Sequence, residues 1–156
     1  MITIKRLGPP DLKTARELFV YFQIDDGIEE PSIPSDQYLE ALLRKEDFYV
    51  LAALDQEILA GGLTAFSLPL YKTESLEMFL YEIGIKPAYR QQGIAQQLIN
   101  SLLALCRDLG ISELFVGTSP NNKAAIKLYE TSGGKAGQEH TVMFTYFLLN
   151  SNHTPS

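Results

Sequence analysis

The chain has 156 residues, 46% apolar and 21% charged, which suits one globular domain and excludes a disordered or fibrous chain. No apolar run approaches the roughly 18 residues of a membrane helix, and the first residues lack the order of a signal peptide. The net charge of −6 disfavours a nucleic-acid partner, because phosphate binding needs clustered cations.

The first half of the chain predicts one strand and two helices. Ile2 to Arg6 alternates as a strand does, a helix opens after its expected N-cap Asp11, and a second helix begins at Ser35. Residues 25–34 between the helices read as a loop. Residues 25–40 contain six carboxylates and no Lys or Arg, which indicates either a solvated acidic surface or an attractor for a cationic substrate.

Three strands and a long helix follow. Residues 48–54 and 58–68 predict a hairpin, and residues 76–85 predict a third strand that stops before Pro87. A helix from about Gly93 to Gly110 carries one apolar stripe, which includes Cys106. We therefore interpret this only cysteine as a core residue, and a lone cysteine is typical of a reducing cytoplasm.

The C-terminal part predicts a strand over 114–118, a helix over 122–132 and a final strand over 141–149. Strands that first form a meander and then alternate with helices favour a mixed α/β sheet. We expect one domain over residues 1–150, followed by a frayed polar tail over 151–156.

Residues 81–96 carry the strongest signal. A strand is followed by a turn and then by the segment Arg90-Gln-Gln-Gly93-Ile-Ala95 at the start of a helix. The first amides of a helix have no intrahelical partner and the helix dipole is positive there, so such an end binds phosphate. Neither a Walker loop nor a dinucleotide-binding Gly-x-Gly-x-x-Gly is present.

A second segment stands downstream, Asn122-Lys-Ala-Ala125-Ile-Lys-Leu-Tyr129-Glu-Thr-Ser-Gly133. Together the two segments resemble the GNAT superfamily of N-acetyltransferases, whose pattern is Arg/Gln-x-x-Gly-x-Gly/Ala followed by Asn-x-x-Ala-x-x-Leu-Tyr-x-x-x-Gly. The resemblance covers nearly the whole chain. It implies the GNAT fold, a central and mostly antiparallel sheet flanked by helices, and acetyl-CoA as co-substrate.

Within that superfamily the chain is most similar to the small bacterial aminoglycoside 3-N-acetyltransferases. Pro34-Ser-Asp-Gln-Tyr-Leu, Leu51-Ala-Ala-Leu-Asp-Gln-Glu and Tyr81-Glu-Ile carry this closer likeness. Two positions depart from those enzymes. The expected final strand lacks their acidic residue, and Gly134 replaces a large apolar residue.

The resemblance assigns the acetyl-CoA site. The CoA pyrophosphate is expected on backbone amides from Gln92 to Gln96, and the pantetheine arm beside the strand at Ile83 and Ile85, like an added strand. Asn122 either contacts the pantetheine or only caps its helix. The expected cofactor-binding residues are Ile83, Ile85, Arg90, Gln91, Gln92, Gly93, Ile94, Ala95, Gln96, Asn122 and Ala125.

Two residues are expected to move protons. Glu82, an acid in an apolar strand on the face of Leu80 and Gly84, is the candidate base that takes the proton of the attacking amine, unless it only pairs with an arginine. Tyr129 stands where the family has its general acid and would protonate the leaving CoA thiolate. A strand amide near Ile83 would stabilise the tetrahedral intermediate.

The acceptor is expected to be a cationic small-molecule amine, with an aminoglycoside as first candidate. In similar folds the connection between the first two helices walls the acceptor side, and here it contains Asp25, Asp26, Glu29 and Glu30. A protein lysine or N-terminus is the alternative acceptor, and an acetyl-CoA-binding module without turnover is the third reading. The sequence indicates no metal site, no nucleic-acid or membrane partner and a cytoplasmic enzyme, and similar enzymes are often homodimers.

Overall fold

The computed structural model describes residues 1–139 and 141–149. Nine helices and strands follow one another in the described chain: β1 Ile2–Arg6, α1 Leu12–Asp25, α2 Asp36–Arg44, β2 Phe48–Asp55, β3 Ile58–Pro69, β4 Leu76–Ile85, α3 Ile94–Asp108, β5 Leu114–Phe115 and α4 Lys123–Thr131. The predicted order of these elements, and with it the mixed α/β fold, is confirmed. The helix predicted after Asp11 begins at Leu12, although the Asp11 carboxylate accepts from the Gly8 N–H (2.9 Å) rather than from α1.

The five strands form one sheet in the order β1-β2-β3-β4-β5. The first four are antiparallel to their neighbours, and β5 lies parallel to β4. β5 pairs with β4 only at Met78–Leu114 and Phe79–Phe115. Residues 80–85 of β4 therefore extend past β5, which opens a gap in the sheet.

Two apolar layers hold the helices to the sheet. On one face α1 and α2 place Leu18, Phe22 and Leu43 against β2 and β3. On the other face the stripe of α3, which ends at Cys106, packs against the sheet. Cys106 is 5% exposed, which confirms its place in the core.

A β-bulge in β4 decides which way the residues near its C-terminal end face. The β3–β4 register passes from Ala65–Leu80 to Thr64–Glu82, so Tyr81 is an extra residue without a partner in β3. Because one extra residue reverses the alternation of side chains, Leu80 packs with α3 while Glu82 and Gly84 face α1. The prediction that Glu82 shares a face with Gly84 is confirmed. The prediction that it shares a face with Leu80 is wrong.

The C-terminal part differs from the prediction. The strand expected over 114–118 is reduced to Leu114–Phe115, and residues 141–149 belong to none of the strands of the described sheet. High strand propensity favours an extended backbone, but a strand forms only where another strand accepts its hydrogen bonds. The expected tail, residues 151–156, lies outside the described residues.

Candidate active site

A cleft with a volume of about 1010 Å³ lies between three elements. They are the end of β4 that does not pair with β5, the start of α3, and α4. Most of the predicted site residues line it: Ile83, Ile85, Arg90, Gln91, Gly93, Ile94, Ala95, Gln96, Asn122, Ala125 and Tyr129. Gln92, Glu82 and Asp26 are not part of the lining. The cleft also includes Asp25, which reaches it from the end of α1.

The start of α3 presents free backbone donors to this cleft. Gly93 adopts a left-handed conformation (φ 77°), as does Gln91 (φ 61°), and none of the described side chains caps the helix. The first helical bond runs from the Gln97 N–H to the Gly93 carbonyl at 3.1 Å, so the N–H groups of residues 94–96 precede any intrahelical acceptor. A Cβ on Gly93 would point into space that no described atom occupies within 4 Å. This geometry fits an anion such as a pyrophosphate.

Arg90 connects the cofactor side of the cleft with α1. Its Nε donates to the Ile85 carbonyl at 3.0 Å, and its Nη2 donates to the Tyr21 hydroxyl and to the Asp25 carboxylate, both at 3.2 Å. The Tyr21 hydroxyl itself donates to the Ile85 carbonyl at 2.7 Å. The Ile85 carbonyl already accepts two hydrogen bonds. The backbone of Ile83 is therefore better placed than that of Ile85 to bind a cofactor along β4.

Tyr21 is a site residue that the sequence analysis missed. It lies in α1, sixty-four residues before Ile85, and no local motif marks it. The analysis also missed several cleft residues that flank the predicted ones: Gly84, Tyr89, Ala124, Leu128 and Thr131. For α4 the spacing carried a signal, since Ala124, Leu128 and Thr131 repeat at i, i+4 and i+7 and form one face of the helix.

Asn122 caps α4 and lines the cleft at the same time. Its side-chain oxygen accepts from the Ala125 N–H at 3.1 Å, so the helix-capping interpretation is correct. The Thr131 hydroxyl lies 3.4 Å from the Gln96 side-chain oxygen and joins α4 to α3 across the cleft.

Tyr129 is half-buried against the α3 core and lines the cleft. Burial raises the pKa of its phenol, so the hydroxyl keeps its proton at neutral pH and is available as a donor. The Gly134 N–H donates to the Tyr129 carbonyl at 2.8 Å, and a Cβ on Gly134 would lie 2.9 Å from that oxygen. The departure at Gly134 is thus explained by the tight end of α4.

Three carboxylates meet beside β4. Burial raises the pKa of Glu82 from its ordinary 4.5 to about 7, and the charge and hydrogen bond of Asp26 and the charge of Asp25 add to the shift. No arginine contributes to this shift, so the arginine-pairing interpretation of Glu82 has no support among the described contacts. Glu29 and Glu30 are exposed and do not line the cleft. Of the four predicted acidic residues only Asp25 lines the cleft, and Asp26 lies beside Glu82.

Among residues 1–139 and 141–149 no three His, Cys, Asp or Glu side chains are grouped to hold a metal ion. None of the described helices is long and apolar enough to span a membrane.

The chain is similar to known acetyltransferases. An aminoglycoside acetyltransferase from an uncultured soil metagenomic sample, solved with sisomicin, superposes with a TM-score of 0.89 at 28% identity, over 95% of this chain and 97% of that one. Thialysine N-epsilon-acetyltransferase of Bos taurus is 28% identical over 80% of this chain and 76% of its own length. Human N-acetyltransferase 8 is 28% identical over 67% of this chain, which spans only 50% of that protein. The model of the acetyltransferase (GNAT) family matches residues 15–133, and the chain therefore belongs to the GNAT family of N-acetyltransferases.

Proposed function

We propose that this protein transfers the acetyl group of acetyl-CoA to an amine of a cationic small molecule, with an aminoglycoside as first candidate. The observation that carries the proposal is the meeting of two opposite sites at the end of β4. Free backbone donors at the start of α3 suit an anion on one side. Three carboxylates, Asp25, Asp26 and Glu82, suit a cation on the other.

Acetyl-CoA fits the cleft by its chemistry. Its pyrophosphate needs backbone donors, which residues 94–96 supply, and its pantetheine arm carries amides that pair with an open strand, which β4 supplies beyond Phe79. Gln91, Gln92 and Arg90 flank the anion site, although Arg90 would have to share its guanidinium with Asp25 and Tyr21.

Glu82 is the proposed base. An ammonium with a pKa near 10.4 is almost wholly protonated at neutral pH and cannot attack a thioester until it loses a proton. A carboxylate whose pKa is about 7 is well matched to accept that proton at neutral pH. The lone pair of the amine then forms the C–N bond, while a backbone N–H near Ile83 stabilises the oxyanion.

Tyr129 is the proposed acid. As the C–S bond breaks, the electron pair stays on the CoA sulfur, whose thiol has an acidity close to that of cysteine. The half-buried hydroxyl of Tyr129 donates its proton to that thiolate and is restored from solvent. Acetyl transfer is direct, so the buried Cys106 has no part in it.

The choice of acceptor follows from charge. Three neighbouring carboxylates repel one another, and a ligand with several ammonium groups would relieve that repulsion. The relative solved with sisomicin supports an aminoglycoside. The similarity to thialysine N-epsilon-acetyltransferase supports a smaller amine as second candidate, and a protein lysine or N-terminus is the remaining alternative.

A thiol-release assay tests the proposal. Purified protein and acetyl-CoA would be incubated with sisomicin, a polyamine, thialysine and a basic peptide, and free CoA would be measured together with the mass of the acceptor. We expect one of the small amines to gain 42 Da, the mass of one acetyl group, faster than the peptide. If calorimetry shows no binding of CoA, the proposal is overturned. If the peptide is acetylated faster than the small amines, the acceptor is a protein amine and not a small molecule.

A further inference from the structure

The side chain of Gln23 ties the loop between α1 and α2 back to the last turn of α1. Its oxygen accepts from the Ser32 N–H, and its nitrogen donates to the Ser32 carbonyl, both at 2.8 Å. The same nitrogen donates to the Phe19 carbonyl at 3.2 Å, so both donors and the oxygen of this amide are paired. The Gln23 carbonyl also accepts from the Ile28 N–H at 2.9 Å. Gln23 therefore closes the loop with its backbone and with its side chain.

Few other contacts hold this loop in place. Residues 27–34 are exposed apart from the half-buried Pro31, and none of them belongs to the two apolar layers. The described hydrogen bonds of residues 27–34 all end on Gln23 or Ile24. A loop without apolar anchors keeps one path only through its hydrogen bonds, so the path of this loop depends on Gln23.

The end of α1 carries charges that its electrostatics disfavour. Asp25 is the last residue of the helix and Asp26 follows as its C-cap, where the helix dipole is negative and favours cations. Glu82 adds a third carboxylate beside this turn. Because these carboxylates repel one another, the last turn of α1 tends to fray unless other contacts hold it. A sequence that keeps an unfavourable group at one place is typical of a functional site.

Asp25 and Asp26 are held by different contacts. The Asp25 carboxylate pairs with Nη2 of Arg90 at 3.2 Å, which fixes it at the cleft independently of the loop. The ion pairs of the described residues include Asp25 but not Asp26. The Asp26 N–H donates to the Phe22 carbonyl at 3.0 Å, at the point where the chain leaves α1. The position of Asp26 therefore depends on how the loop continues.

We propose that Gln23 is a positioning residue for the acceptor side of the cleft: by closing the loop at Ser32, it holds the Asp26 carboxylate beside Glu82. Gln23 does not line the cleft and acts through Asp26. A neutral amide suits this role, since it adds no positive charge that would compete with the ammonium of an acceptor. The part in acceptor binding rests on the proposed function, whereas the placement of Asp26 does not.

The ionisation of Glu82 reports the position of Asp26 without any acetyl transfer. NMR titration of the isotope-labelled carboxyl group would follow Glu82 in the wild type, Gln23→Met, Asp26→Asn and the double variant. Methionine keeps the length of glutamine and loses its hydrogen bonds to Ser32. Release of Asp26 takes a like charge and a hydrogen-bond partner from Glu82, so the midpoint in Gln23→Met should fall below about pH 7, as in Asp26→Asn. The double variant should titrate like Asp26→Asn, because Gln23 acts through that residue.

Gln37→Met is the matched control for the titration. Gln37 lies exposed on α2, and the described contacts include no hydrogen bond of its side chain. It should keep the wild-type midpoint of Glu82, whereas Gln23→Asn, one methylene too short to pair with Ser32, should lower it. The proposal is overturned if either Gln23 variant keeps the wild-type midpoint. It is also overturned if the shifts of Gln23→Met and Asp26→Asn add in the double variant.

The KM of the acceptor tests the part that rests on the proposed function. At pH 8.5 and saturating acetyl-CoA, Gln23→Met should raise this KM severalfold, no more than Asp26→Asn does, and change kcat less. A lower kcat with the wild-type KM would overturn the role in acceptor binding. If none of the proteins transfers acetyl while the Glu82 midpoint still shifts, the proposed function fails and the placement of Asp26 by Gln23 stands. If acetyl transfer is intact and Gln23→Met keeps both the midpoint and the KM of the wild type, only the role of Gln23 fails.

Discussion

Glu82 shows how burial and two neighbouring carboxylates change the chemistry of one side chain. Partial burial disfavours its ionised form, and a hydrogen bond between two carboxyl groups requires that one of them hold a proton. Asp26 at the end of α1 supplies that partner, and Asp25 adds a second negative charge. The result is a carboxyl group with a pKa of about 7, as the proposed base requires, whereas a solvent-exposed glutamate would keep a pKa near 4.5.

The rate of acetyl transfer should follow the ionisation of Glu82. Because the base must be deprotonated, kcat/KM for the acceptor should rise with pH through about 7 in the wild type. Glu82→Gln should lose this rise and lower kcat on the order of a hundredfold. Asp26→Asn is the informative partner variant: it removes a like charge and should move the rise to lower pH. Equal profiles for the wild type and Glu82→Gln would contradict the role of Glu82.

The free energy of unfolding should also depend on the ionisation of Glu82, but it should fall as pH rises, whereas kcat/KM should increase. The folded state holds the Glu82 proton up to about pH 7, whereas the unfolded chain releases it near 4.5. The free energy of unfolding therefore falls as pH rises between these values and stays lower above them. Glu82→Gln cannot ionise and does not lose this stability, so the difference between its Tm and that of the wild type should grow in favour of the variant from pH 5 to pH 8. Parallel Tm curves for the two proteins would show that the Glu82 pKa is ordinary.

Tyr129 should act on the rate and leave binding unchanged. Tyr129→Phe keeps the ring that packs against α3 and removes only the proton donor, so kcat should fall tenfold or more while the acetyl-CoA Kd is unaffected. Stopped assays for kcat and calorimetry for Kd separate the two quantities. A variant that loses affinity and rate together would show that the hydroxyl binds the cofactor.

At the scale of elements, the proposed cofactor site depends on the start of α3. Gly93→Asn tests it, because asparagine tolerates positive φ while its side chain fills the open space in front of the helix amides. We expect a nearly unchanged Tm without ligand. The stabilisation of about 2.7 kcal/mol expected at a hundredfold excess of CoA over Kd should be lost.

Gly110→Asn is the matched control for this variant. Gly110 ends the same helix, has a similar φ of 70° and faces open space. It does not line the cleft. It should keep the full response to CoA in a thermal-shift titration. If both asparagine variants keep the response, the pyrophosphate does not sit at the start of α3.

The same elements show what the sequence could and could not predict. The apolar stripe of α3 and the Arg90–Ala95 segment are local patterns, so both the helix and the uncapped amides at its start followed from the sequence. The bulge at Tyr81 and the contact of Tyr21 with Ile85 depend on pairing between distant segments. The bulge turns Glu82 towards Asp26, which no spacing within β4 indicated. The expected final strand failed for a related reason, since pairing and not composition makes a strand.

At the scale of the whole molecule, the charges that sum to −6 are unevenly distributed. Arg90 pairs with Asp25 and so brings one cation to the edge of the acidic group, while Glu29 and Glu30 stay on the exposed loop. The carboxylates near Glu82 can contact an acceptor directly. Those on the loop act only through the field of the protein, which salt screens over roughly 8 Å at physiological ionic strength.

Two double variants with the same change of charge separate local contact from the general field. Asp25→Asn/Asp26→Asn should raise the acceptor KM about tenfold or more, because it removes groups that face the ammonium beside Glu82. Glu29→Gln/Glu30→Gln should raise it only slightly. Measurements at pH 8.5 and saturating acetyl-CoA keep Glu82 ionised in all three proteins. Added salt should raise the KM of the wild type and of the loop variant in parallel. If the two double variants raise KM equally, the acceptor is attracted by the acidic surface as a whole, and the group at Glu82 does not form a specific subsite.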